Sequence, residues 1–378
     1  MSGRKTIGTI KMRNRQVTDS LKGLGTRIYD QIEDRKFPWV DIKSRTSQNI
    51  KMDEKLGQYV LGPKTIKRSA HNRRNLKPLS QILWVSTVGK ELLEQNKTST
   101  LRDVFYMAQG EGTEIQFAEQ SESDDIITDL ETVLNAARED LHIYPKERSA
   151  IFGDLTVEYT SPPGWEGQKR NMALDPNGTV IGPPMTSAEF VKCQADKLIV
   201  VEKHAMFTRF IEEGAYKKFN ALLISSEGQA PRATRKLIRR LSTELDLPVM
   251  ILTDGDPWGI SIASVIIHGS VNCAHLRDLN TPEAVWAGIY ASDIVKYKLP
   301  TVRMTDRTMQ KRGSDVEKLD KLAQFFDTPA FKNTVWQKEI ALYEKLKRKC
   351  ELEAFSRYGL SFVVDKYLKD KIKEIGFS

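Results

Sequence analysis

Asp196-Lys197-Leu198-Ile199-Val200-Val201-Glu202 and Pro248-Val249-Met250-Ile251-Leu252-Thr253-Asp254-Gly255-Asp256-Pro257-Trp258 decide the fold. Each is a short apolar run of the buried-strand type that ends in carboxylates, and Ala221 to Ser225 is a third such run between them. Helical segments, Ala205 to Glu213 and Arg232 to Leu245, separate the three. This alternation predicts an α/β domain with a mostly parallel sheet flanked by helices. In an open parallel sheet, chemistry collects at the carboxyl ends of the strands, where Glu202, Asp254 and Asp256 stand. Extended chain repeats every two residues, so Asp254 and Asp256 project to one side, with Gly255 letting the backbone bend between them. Three carboxylates on neighbouring strand ends form a hard-oxygen set suited to Mg2+ rather than zinc. Asp-Gly followed by Pro257 is also ordinary turn chemistry, and the dipeptide alone leaves both readings open. An EF-hand is excluded, because Trp258 and Val265 stand where that loop needs oxygen ligands.

The rest of the chain fits a soluble protein of two or three domains: 378 residues, 40% hydrophobic, too apolar to be disordered. Cys193, Cys273 and Cys350 are far apart and lack C-x-x-C spacing, so neither a disulfide framework nor a cysteine zinc site is expected. Met1 to Ile10 is polar and basic, and the longest apolar-rich stretch, Ile260 to Val271, is interrupted by Ser261, Ser264, His268 and Gly269. No signal peptide or membrane span is expected, and the compartment reads as reducing and intracellular. Residues 1–75 carry 18 Lys and Arg against 7 Asp and Glu, an excess larger than the net +8 of the whole chain. A basic arm on a near-neutral body suits a polyanion, although a solvated tail has the same composition.

Within that arm, Leu21, Leu24, Ile28 and Ile32 are spaced as on a helix, whereas Phe37 to Arg74 reads as an irregular basic connector. Leu76 to Tyr144 is mostly helical. A hydroxyl cap in Thr98-Ser99-Thr100 precedes Leu101-Arg102-Asp103-Val104-Phe105-Tyr106, and Ile126, Ile127, Leu130, Val133, Leu134 and Ala137 make a core-facing stripe. Short helices of this kind suit a helix-turn-helix or winged-helix module. Phe152 to Tyr159 alternates like one half-buried strand, and Val316 to Ile375 returns to helix.

Arg102 lies four residues before Tyr106, on the same helical face, where a guanidinium can steady a phenolate or hold the phosphate it attacks. Most of the 11 tyrosines in such a chain simply pack. Gly228 to Arg235 leads from a strand into a helix, and Arg232 and Arg235 there suit either phosphate or an ordinary turn. Walker A, Rossmann, H-E-x-x-H and G-x-S-x-G patterns are all missing, which removes the usual warrants for ATP hydrolysis by this chain, hydride transfer and serine hydrolysis.

Glu202 with Asp254-x-Asp256 resembles a Toprim domain. More specifically, Leu101 to Tyr106, Phe152 to Glu158, Gly228 to Arg235 and Thr253 to Trp258 resemble the A-subunit family of DNA topoisomerase VI, which includes the meiotic double-strand-break transesterases. Ser44-Arg45, Leu56 to Gly62 and Arg68-Ser69 favour the topoisomerase branch. Phe105-Tyr106 replaces a tyrosine pair common in that branch, and Lys203-His204-Ala205 after Glu202 is a second small departure.

The resemblance implies a basic arm and connector (1–75), a winged-helix DNA-cleavage module (76–146) and a Toprim domain with a helical C-terminal extension (147–378). It further implies that Tyr106, beside Arg102, forms a transient 5′-phosphotyrosyl link to double-stranded DNA with Mg2+ at Glu202, Asp254 and Asp256. The expected assembly is a homodimer joined by an ATP-binding B subunit in an A2B2 complex, docked near Leu21 to Ile32. Arg68, Arg73, Arg74, Arg232 and Arg235 are the candidates for DNA contact. A break-forming transesterase that does not reseal, and a non-enzymatic DNA-binding Toprim protein, are the alternatives.

Overall fold

A computed structural model of the chain describes residues 9–110, 115–145, 148–306 and 313–377. Most of the opening stretch Met1 to Ile10 lies outside these. Among the described residues no helix is long and apolar enough to cross a membrane.

Lys197–Val201 pairs in parallel with Ala221–Ser225 on one side and Val249–Leu252 on the other, and Val285–Gly288 adds a fourth parallel strand. All residues of the first three strands are buried, which is why they read as unbroken apolar runs rather than alternating ones. Helices His204–Glu212, Arg232–Glu244 and Pro257–His268 flank them. Because Lys197–Val201 is central and its successors lie on opposite sides, the connections diverge at the ends of Lys197–Val201 and Val249–Leu252. This switch point opens a crevice, and the acids sit at it.

The sheet is mixed, with two antiparallel strands, Ala150–Phe152 and Thr179–Val180, beyond Ala221–Ser225. The single strand expected over Phe152 to Tyr159 is in fact two. Gly153, at φ +133°, turns the chain so that Leu155–Glu158 joins a separate antiparallel sheet with Lys169–Asn171 and Glu189–Cys193. A Cβ at Gly153 would also come within 2.9 Å of Leu222, so both the angle and the space call for glycine.

The expected irregular connector is ordered instead. Trp39–Lys43 pairs with Thr65–Ser69, and Ile50–Asp53 pairs with Gln58–Leu61. Buried Asn49 pins the two hairpins together, donating to the Ser44 carbonyl at 2.8 Å and accepting from the Lys64 N–H at 3.1 Å. Val40 and Ile42 enter one core with Leu21, Leu24 and Ile28 of helix Thr9–Glu33, Ile82 and Val85 of helix Arg73–Glu94, and Ile127 and Leu130 of helix Gln120–Leu134. That core runs across position 75.

The larger core surrounds the six-stranded sheet and takes in the C-terminal helices Asp315–Phe326 and Val335–Leu346, where Trp336 stacks between Phe326 and Trp286. Ionic groups join the two cores. Glu131 and Glu139 of the first, with fully buried side chains, meet Arg232 of the second, while His275 lies 2.9 Å from Glu131 and Lys236 pairs with Asp140.

Candidate active site

Each acid is held by backbone geometry. The Asp254 N–H donates to Glu202 Oε2 at 2.9 Å, which fixes the two strand ends to each other. Asp256 is the N-cap of Pro257–His268, its Oδ1 accepting the Gly259 N–H at 2.7 Å. Gly255 exchanges backbone hydrogen bonds with Cys350, and the Leu352 N–H donates to Asp254 Oδ1 at 2.8 Å. Residues 349–353 therefore form a strap across the acidic loop.

Burial, followed by the nearby charge of Asp254, pushes the Glu202 carboxyl up to about 8. Burial likewise raises Asp254 to about 6, although Leu352 and Lys203 oppose it, and it raises Asp256. A buried, mutually repelling set of carboxylates is one a divalent cation would relieve, so the donor chemistry fits Mg2+. Among the described residues no three such side chains converge into a finished cage, and each acid has an oxygen accepting from a backbone N–H.

Several neighbours of the acids were not assigned a role from the sequence. Lys203 pairs with Asp254 at 3.0 Å, and Asp315, from over fifty residues downstream, accepts from the exposed Trp258 indole at 3.2 Å and pairs with Lys349 at 2.7 Å. Lys203 alone was open to detection, as a cation directly after a strand-end acid.

Gly259 has no room for a side chain: a Cβ there would overlap the Asp254 carbonyl oxygen. Gly259→Ala is expected to move the acidic loop, costing about 1–3 kcal/mol of stability and a larger share of DNA cleavage. Denaturation and a cleavage assay on the same preparation check both.

Tyr106 lies on the short helix Leu101–Met107. Thr100 and Asp103 begin that helix with a reciprocal capping box at 3.1 and 2.9 Å, and buried Val104 anchors it. The tyrosine is 56% exposed. The Arg102 guanidinium lies 5.7 Å from the ring centroid, and hydrogen bonding to Tyr106 raises the Arg102 pKa. Phe105 packs edge-on at 5.4 Å. Tyr106 stands on a helix anchored in the first core by Val104 and the acids stand at strand ends of the second, and among the described residues no hydrogen bond or ion pair joins them.

Of the arginines, Arg73 and Arg74 are exposed at the start of their helix, and Arg68 is partly covered beside Asp129 at 3.4 Å. Arg232 and Arg235 need correcting. Arg232 is spent on Glu131 and Glu139 with its side chain 12% exposed, and Arg235 is buried with its Nη2 3.6 Å from Cys273 Sγ. Neither offers a surface to DNA.

Residues 197–372 match the family described as the Toprim domain of the topoisomerase 6 A-subunit/Spo11 proteins, and residues 77–143 match Type IIB DNA topoisomerase. A Methanothermobacter thermautotrophicus protein, named as the A subunit of type 2 DNA topoisomerase 6, is 39% identical over 369 residues, covering 96% of this chain and 99% of the relative. The chain belongs to the topoisomerase 6 A-subunit family. Relatives of the same name from Archaeoglobus fulgidus and Halobacterium salinarum are 35% and 34% identical, each over 96% of this chain and 98% and 97% of their own length. As a member of the topoisomerase 6 A-subunit family, the chain is the catalytic subunit of a type IIB DNA topoisomerase, with the Toprim match spanning all three acids.

Proposed function

We propose that Tyr106 is the nucleophile. Its phenolic oxygen attacks a DNA phosphorus in line, an Oη–P bond forms, and the P–O3′ bond breaks. The phenolic proton is given up and the departing 3′-oxygen gains one, leaving a 5′-phosphotyrosyl link and a free 3′-hydroxyl. The ester retains the bond energy, so the reverse attack reseals the strand without ATP. Arg102 holds the attacked phosphate and steadies the phenolate. Glu202, Asp254 and Asp256 would hold Mg2+, which when bound stabilises charge at the scissile phosphate.

The observation that carries this reading is the buried acid set at the sheet's switch point, paired with an exposed tyrosine on a separate core. That separation supports a homodimer in which the tyrosine of one protomer meets the acids of its partner. Helices Arg73–Glu94, Leu101–Met107 and Gln120–Leu134, closed by the parallel pair Ser99–Thr100 and Ile143–Tyr144, support a winged-helix module. Arg73 and Arg74 would contact DNA phosphate. The ATP that drives duplex passage is bound by a B subunit in an A2B2 complex, and the whole works in the cytoplasm on chromosomal DNA.

The test incubates the chain with a B subunit, Mg2+, an ATP analogue and supercoiled plasmid, traps with detergent and maps the adduct by mass spectrometry. A 5′ adduct on Tyr106, lost in Tyr106→Phe, is expected. An adduct on another residue would overturn the assignment.

A further inference from the structure

Lys203 is placed to govern how the acids take up a cation. Its ammonium is 3.0 Å from Asp254 Oδ2, 2.9 Å from Glu351 Oε2 and 3.1 Å from Glu353 Oε2, with its side chain 27% exposed. The other Asp254 oxygen accepts from the Leu352 N–H, so both are committed, one to the strap and one to this lysine.

We infer that Lys203 is a positioning residue that competes with the divalent cation for Asp254 Oδ2 and is drawn aside by Glu351 and Glu353 when the cation takes that oxygen. The inference rests on the reading of Glu202, Asp254 and Asp256 as the Mg2+ ligands. An ammonium and a dication cannot share one oxygen at contact distance without strong repulsion. A lysine is a compact charge on a flexible stem, able to move where an arginine fork is directionally bound. Glu351 and Glu353 both pair with the same ammonium, with Glu351 70% exposed, so Lys203 can leave Asp254 and remain paired. The competition makes metal affinity a balance that the strap sets.

The experiment measures Mn2+ binding to the full purified chain by electron paramagnetic resonance, with no DNA and no turnover. Lys203→Met is expected to bind Mn2+ about tenfold more tightly, because the competing charge is gone. Lys203→Arg is expected to bind Mn2+ more weakly than the unsubstituted chain, because the directionally bound fork is not drawn aside. Joint Glu351→Gln and Glu353→Gln is expected to weaken binding, since Lys203 then rests on Asp254 alone. A Lys203→Met protein that melts normally yet binds Mn2+ equally or less tightly overturns the inference, as that is what a purely structural pin would give. Should Lys203→Met fail to fold, the joint glutamine variant decides: unchanged affinity overturns the inference and weaker binding supports it. Mn2+ binding that survives Asp256→Asn in the unsubstituted background would overturn the reading of the acids itself, a separate result.

Discussion

Tyr106→Phe and Asp256→Asn chains, each inactive alone, are expected to recover cleavage when mixed and reassembled. In a mixed dimer one composite site has its tyrosine from one protomer and intact acids from the other, while the second site carries both lesions. Random pairing then gives about a quarter of the intact sites, each able to cut only one strand. The product is a nicked circle, not a linear one, and the two are separated on a detergent-treated gel. Either variant alone is expected to fall on the order of 10^4-fold or more in cleavage. Absence of nicking in a mixture shown by mass spectrometry to contain mixed dimers would mean that each tyrosine works with acids of its own chain.

Arg232→Ala is expected to destabilise the protein by about 3–5 kcal/mol, because it leaves Glu131 and Glu139 buried without their guanidinium. This is a large part of the ~5–15 kcal/mol typical of folded domains. Burial alone would raise the Glu131 carboxyl, but Arg232 and His275 overcome it and hold it down to about 2 from an ordinary 4.5. A carboxyl depressed on folding contributes stability that is present above its unfolded pKa and lost as the pH falls through its folded one. The unsubstituted protein should therefore lose stability between about pH 4.5 and 2. The gap to Arg232→Ala should narrow over the same range, because the unsubstituted protein loses the contribution of its depressed Glu131 carboxyl there and the variant has no such contribution to lose. Urea denaturation across that pH series measures both, and a gap that stays constant would mean the pair contributes little.

The parallel strands and the placement of the acids were legible because Lys197–Val201, Ala221–Ser225 and Val249–Leu252 are apolar throughout and bounded by polar ends. The tyrosine helix was legible from its hydroxyl cap. The hairpins over residues 39–69 were not: their strands are only four or five residues long, and they are tied together by the single side chain of Asn49. Arg232 and Arg235 show a second limit, since a basic helix start looks the same whether it faces a phosphate or a buried glutamate from another core. The strap offered no local cue at all. Its role depends on Cys350 and Leu352 meeting Gly255 and Asp254 almost a hundred residues away.

The position of that strap in the sequence sets an order of events during synthesis. Tyr106 leaves the ribosome first, the acids follow, and residues 349–353 emerge after both. At ordinary elongation rates the interval between the tyrosine and the strap is on the order of tens of seconds. Until the strap arrives, Gly255 lacks its backbone partner and Asp254 lacks the Leu352 donor, so the acidic loop is held only by the Glu202 contact and the Asp256 cap. A chain stalled or truncated before this point carries the exposed tyrosine and the three acids without the strap that spans the acidic loop. The acidic loop is thus the part of the fold whose backbone partners are made last.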